Sequence, residues 1–223
     1  MLATAATSEA DDGHRRPQEA EPTTPRVLTV IAHVLQKLVA RNDRLVAGLS
    51  CVAGGKSLNG FHGVRAPSIS IPRYLERIYK YTSCSPSCFV VGFVYIDRLV
   101  HRHPDSLVVS LNVHRLLVTS VMVASKMLDD VHYNNALYAR VGGVSNAELN
   151  RLELELLFLL DFGLNVSSRV FESYCLHLEK EMLCNGMVPR IERSLSSNAA
   201  VDDVTEISVD DTQQSTSPPQ MVD

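Results

Sequence analysis

Apolar positions in the central chain recur at helical spacing. In "RVLTVIAHVLQKLVARNDRLV", Val27, Ile31, Val34 and Leu38 fall on one stripe, the three-and-four spacing of an amphipathic helix. Thr24 and Pro25 stand at the N-cap and first helical positions before it. After a Gly/Ser/Asn linker, "IPRYLERIYKYT" predicts a short helix with Leu75, Ile78 and Tyr79 inward. "SPSCFVVGFVYIDRLVHRHP" predicts a helix that begins at Ser85-Pro86 and stops before Pro104, with a stripe of Phe89, Phe93, Ile96 and Val100. "NNALYAR" is a short helix ended by Gly142-Gly143. Ser145 and Glu148 then form a capping box for "NRLELELLFLLDF". A last helix, about 168–182, puts Phe171, Tyr174, Cys175, Leu178 and Met182 on one face. No segment reads as a strand, so the pattern is all-α.

Two charges break it. "NVHRLLVTSVMVASKMLDD" (112–130) is apolar enough to be buried nearly all round, yet it carries Lys126 near its end. At 100° per residue, Val113, Leu117, Val121, Ala124 and Leu128 form its core side, and Arg115, Thr119, Met122 and Lys126 cluster opposite. On the helix after Ser145, Leu149, Leu152, Leu156, Leu159 and Leu160 form the core arc, while Glu148, Arg151 and Glu155 point away as solvated charges. Glu153 falls beside Leu149, Leu157 and Leu160 instead. A carboxylate there needs a partner, because an unpaired buried charge is costly. Two compatible readings follow. Lys126 and Glu153 form an internal pair, or the lysine snorkels to water. Alternatively both border a face presented to another protein, where lysine donates to free carbonyls at a helix end and glutamate accepts from free N–H groups at a helix start.

The 223 residues, 45% hydrophobic and 21% charged, suffice for one domain with tails. Residues 1–24 read as a disordered polar tail without the apolar stretch of an export signal. Residues 186–223 read as an acidic disordered tail, with no Lys or Arg and six acids after Arg193. The domain between them is expected at 25–185. A net charge of −4 and the lack of a basic block argue against nucleic acid, and no run is long enough for a membrane span. Five cysteines without an export signal point to reduced thiols in an intracellular, non-secreted protein.

Other motifs are set aside. "GGKS" (54–57) lacks the first glycine of a phosphate-binding loop. Cys84 and Cys88 lie too far along one helix from His101 and His103 to share a metal ion, and no metal or other cofactor is expected. The sequon at Asn165 has no meaning without export. Of the proline-directed positions Thr24, Ser85 and Ser217, Ser85 reads as a helix cap and only Ser217 as accessible chain. No nucleophile–base set stands out, so no enzyme is expected.

The runs "YIDRLV", "SKMLDDVHYNNALYARVGG" and "LNRLELELLFLLDFGLNV" resemble the cyclin box. The wider run "FHGVRAPSISIPRYLERIYKYTSCSPSCFVVGFVYIDRLV" looks like the plant U-type, or P-type, cyclins, which are similar to the yeast cyclins of phosphate signalling. The resemblance covers about residues 27–178. It implies an all-α fold: a single five-helix cyclin box, about 67–178, with an additional N-terminal helix and a short C-terminal helix. It also implies a regulatory subunit, in the nucleus or cytoplasm, that binds and activates a cyclin-dependent serine/threonine kinase in cell-cycle or nutrient signalling, with no small-molecule substrate. Lys126 stands where the family has its kinase-contacting lysine, and Glu153 where it has its glutamate. Arg115, Thr119 and Met122, on the stripe with Lys126, complete the expected partner-binding set.

"IPRYLERIYKY" departs from the M-R-x-x-L-x-D-W motif of mitotic cyclins, which puts mitotic substrates in doubt. Too few residues follow Leu164 for a second box, so the substrate-recruiting surface of two-box cyclins is expected to be missing. The alternative is a cyclin-fold adaptor that binds no kinase.

Overall fold

A computed structural model describes residues 24–48, 56–130 and 133–184. These lie in one unit, Met1–Pro189, and the rest of the chain, Arg190–Asp223, falls outside the described residues. Both tails apart from Thr24, and the Gly54-Gly55 stretch, are likewise outside them. The helices are α1 (Arg26–Gly48), α2 (Ile71–Thr82), α3 (Pro86–Arg102), α4 (Val113–Leu128), α5 (Asn135–Gly142), α6 (Asn146–Leu159) and α7 (Ser168–Cys184), with a 3-10 turn at Lys56–Phe61. No strand occurs among the described residues. Helices α2 to α6 are the five of the expected box; α1 and α7 are the additional pair.

Local chemistry sets the boundaries. Pro86 stands at the first position of α3, where its missing N–H costs nothing. Helix α5 begins at Asn134, whose side chain accepts from Leu137 N, and ends at Gly143, whose φ of 73° suits glycine alone at low cost. The Ser145 hydroxyl accepts from Glu148 N at 3.0 Å. The reciprocal half of the capping box is not made, because the Glu148 carboxylate is engaged by Arg115. Ser145→Ala is expected to cost about 1 kcal/mol, read as a lower urea midpoint with unchanged slope.

Helix α4 is the hub. It packs against α2, α3, α5, α6 and the 3-10 turn, and from Val113 to Ser125 every residue except Arg115 is buried. Its closest neighbour is α3. A Cβ built on Gly92 would meet the backbone N of Val121 at 3.2 Å and its Cα at 3.3 Å, so a glycine there lets the two backbones approach. Two buried polar contacts tie this hub to its surroundings: Tyr138 Oη donates to Ser125 Oγ at 2.8 Å, and Asn112 Oδ1 accepts from Val109 N at 2.9 Å. Helices α1 and α7 close the other side of α3. Leu178 is buried there, and Phe171, Tyr174, Cys175 and Met182 pack partly buried against the core, the face expected from the sequence.

The end of α6 is held across the bundle. Carbonyls in the last turn of a helix lack intrahelical donors. Here Arg102 donates to Leu160 O, and His103 Nε2 to Leu159 O at 3.1 Å. Arg98 donates to Gly163 O at 2.7 Å and Asn165 O at 3.1 Å. Asp161 and Phe162 follow with φ of 50° and 54°, a left-handed conformation that costs a non-glycine residue about 1 kcal/mol or more. Phe162 N donates to Leu157 O at 2.9 Å, so this turn is fixed from both sides.

His114 is the one buried histidine on the hub. Nε2 donates to Ile69 O at 2.9 Å, Tyr74 meets the ring edge-on with centroids 4.8 Å apart, and Nδ1 is buried without a partner. Burial lowers its pKa below 6.5, the Ile69 bond opposes the shift, and Arg115 adds to it. The unfolded chain therefore takes up a proton below about pH 6.5 that the folded chain resists. Stability is expected to be insensitive to this group above that pH and to fall as pH drops below it. Urea unfolding across that range should show an acid slope that is reduced in His114→Gln.

Candidate partner-binding site

Lys126 lies in the last turn of α4, and Glu153 in the middle of α6. Lys126 Nζ donates to Glu153 Oε1 at 2.6 Å, with the side chains 29% and 18% exposed. The internal pair is present, and both groups still reach the surface. The second carboxylate oxygen is also occupied. Asn135, at the start of α5, donates from Nδ2 to Glu153 Oε2 at 2.7 Å and to Asn150 Oδ1 at 2.8 Å. Glu153 is thus held from two helices in one orientation. Asn135 was not singled out from sequence. Its only signal was the "NN" doublet, which reads equally as cap chemistry.

Apolar side chains on the elements that carry this pair remain exposed. Met127 and Leu128 follow Lys126, and Tyr133 precedes α5. On and just after α6, Leu154, Phe158 and Phe162 are exposed at intervals of four. Phe158 is 67% exposed, and its ring meets that of Phe162 edge-to-face with centroids 5.3 Å apart. Large apolar groups exposed on the elements that carry a partly buried ion pair are the composition of a protein-binding surface.

The remaining expected contacts are placed differently. Thr119 and Met122 are fully buried, which corrects their assignment to an open stripe. Thr119 Oγ1 donates back to Arg115 O at 2.8 Å. The side of α4 opposite its first core stripe is covered by neighbouring helices, and neither residue can touch a partner without unpacking them. Arg115 is engaged with Glu148, Nε to Oε1 at 2.7 Å. Its guanidinium also lies against Gly63, where an added Cβ would collide with Nη1. Glu148 is therefore not simply solvated. Nor is Glu155, whose carboxylate abuts Gly60 in the 3-10 turn. Leu128, expected in the core, is 47% exposed.

An all-α bundle with a solvent-facing ion pair and an exposed aromatic stripe defines a helical binding module. Comparison with known proteins specifies which kind. The family model "Cyclin" matches residues 25–164. The chain is 67% identical over 192 residues to Cyclin-U1-1 of Arabidopsis thaliana, covering 86% of this chain and 90% of that protein. It is 50% identical over 159 residues to Arabidopsis Cyclin-U4-1 (70% and 76% covered) and 51% identical over 166 residues to Cyclin-P1-1 of Oryza sativa subsp. japonica (71% and 63%). The chain belongs to the cyclin family, and these relatives are plant U-type and P-type cyclins, as the resemblance implied. Cyclins are regulatory subunits whose general partner is a protein kinase. Among the described residues no helix is long and apolar enough to cross a membrane.

Proposed function

We propose that this chain binds and activates a cyclin-dependent serine/threonine kinase through the face around Lys126 and Glu153, acting in cell-cycle or nutrient signalling. The observation that carries this reading is the pair itself: two opposite charges, locked at 2.6 Å and still at the surface, on a helix that also exposes Leu154 and Phe158 and leads to exposed Phe162. A kinase works only when the glutamate of its C helix pairs with its strand lysine. A rigid surface that binds only the inward position of that helix shifts the kinase toward activity. Moving such an equilibrium from 1:99 to 99:1 requires about 5.5 kcal/mol of differential affinity. Charge-assisted contacts supply roughly 1.5–3 kcal/mol each, so apolar contact must add to them. The exposed aromatic stripe takes the role first expected of Met122.

The site lies within the proposed 25–185 domain, which acts as a single box. The test is reconstitution: purified chain is added to a panel of cyclin-dependent kinases and phosphorylation of a generic basic substrate is followed. Stimulation of at least one kinase is expected. Stable binding without stimulation of any member would favour the adaptor reading instead.

A further inference from the structure

The exposed side of α2 and α5 is basic in a chain whose net charge is −4. Helix α2 carries Arg73, Arg77 and Lys80 against Glu76, and α5 carries Arg140 and no acid. Arg73, Arg77 and Arg140 are exposed, and among the described residues neither Arg77 nor Arg140 forms an ion pair. Arg77 Nη2 lies 3.5 Å from Arg140 O, so the two cations stand on adjoining elements.

A cavity of about 180 Å³ lies at this patch, lined by Tyr74, Arg77, His114, Arg115 and the Gly142-Gly143 pair. Tyr74 Oη donates to Gly142 O at 3.0 Å. A Cβ on Gly142 would stand 3.2 Å from that hydroxyl and 2.8 Å from Val118 Cγ2, so the glycine lets the end of α5 close onto α2 and α4. Burial raises the pKa of the Tyr74 hydroxyl, and Arg77 and Arg115 both oppose that shift. His114, in the same wall, keeps Nδ1 without a partner. Glu148 engages Arg115 through Nε at 2.7 Å, and a guanidinium has further N–H donors to offer.

We infer that this face is a docking site for an acidic peptide of another protein, with one Asp or Glu side chain seated in the cavity on Arg77 and Arg115 and flanking acids on Arg73 and Arg140. The cavity is smaller than the roughly 300–1,000 Å³ of small-molecule sites and suits a single side chain. Guanidinium groups match the planar carboxylate through paired N–H donors, and arginine clusters read acidic motifs in this way. A nucleic acid would instead meet a chain that is acidic as a whole. The site is separate from the Lys126–Glu153 face: Arg115 and Lys126 stand at opposite ends of α4, about 16 Å apart along its axis.

The test is selection of random phage-displayed peptides on the full chain, followed by fluorescence anisotropy with the recovered peptides as labelled synthetic probes. The recovered peptides are expected to be rich in Asp and Glu, and their Kd to rise roughly tenfold or more on Arg77→Glu. Arg77 is exposed, so this variant keeps its fold, which circular dichroism checks. Arg169→Glu makes the same charge change on α7, which packs on α1 and α3, and it should leave Kd nearly unchanged. Lys126→Ala should do the same. A selection that recovers no acidic peptides would overturn the inference. So would acidic peptides that bind Arg77→Glu as tightly as the unaltered chain, or that lose as much affinity on Arg169→Glu, since attraction would then be diffuse.

Discussion

Lys126→Ala and Glu153→Ala are each expected to weaken the complex with a cyclin-dependent kinase by about 2–5 kcal/mol, roughly a 30-fold to several-thousand-fold rise in Kd. The cost is large because docking would strip the remaining water from a charge already only 29% or 18% exposed and now without its counter-ion. Removing one member also releases the other from its fixed geometry, and Asn135 alone then orients Glu153. The measurement is binding by calorimetry at a temperature where circular dichroism shows both variants folded. Arg151→Ala is the control, since Arg151 is exposed on the same helix; Glu155 is unsuitable because it packs on Gly60. Full-affinity binding by both folded variants would move the kinase contact to another face and leave the cyclin fold intact.

Leu117→Ala should produce the largest loss of stability short of unfolding. Leu117 is fully buried in the middle of α4, the helix against which four others pack, so the space left cannot readily collapse. Truncating such a leucine costs about 2–5 kcal/mol, a large share of the roughly 5–15 kcal/mol that holds a domain of this size together. Leu128→Ala, at 47% exposure, should stay within about 0.5 kcal/mol. The helical wheel assigns both leucines to one core stripe, so equal losses in urea unfolding would contradict the structure, and unequal losses in the stated order would support it.

The helices were legible because their signals are local. Caps, prolines, glycines and the three-and-four spacing act within a turn or two, and α2 through α7 appear where those signals put them. Coverage of a helix face is not local. The wheel on α4 separated Met122 from Leu117 correctly, yet it carried no information about what packs on the Met122 side. Because α4 is apolar all round, both sides are buried. The same limit hid the engagement of Glu148 by Arg115, 33 residues away in sequence, and made a paired carboxylate look solvated. Glu153 was legible for the opposite reason: its neighbours on the wheel are leucines, so its placement demanded a partner. Asn135 was not, since a polar residue at a helix start carries no such demand. The exposed Phe158 and Phe162 escaped notice because a phenylalanine near a leucine-rich arc reads as more core.

Each carboxylate oxygen of Glu153 has a partner before any kinase arrives, with a further lone pair on each still open. One oxygen is held by an ammonium and the other by an amide, so this part of the surface projects a dipole rather than a net charge, and its field decays within a few ångströms. Long-range attraction is what raises association rates above roughly 10⁵–10⁶ M⁻¹s⁻¹ and makes them fall with salt. A partner that docks here should therefore arrive at the speed of unassisted diffusion and orientation. Raising ionic strength should leave its arrival rate nearly flat, and discrimination among partners should appear in how long each one stays.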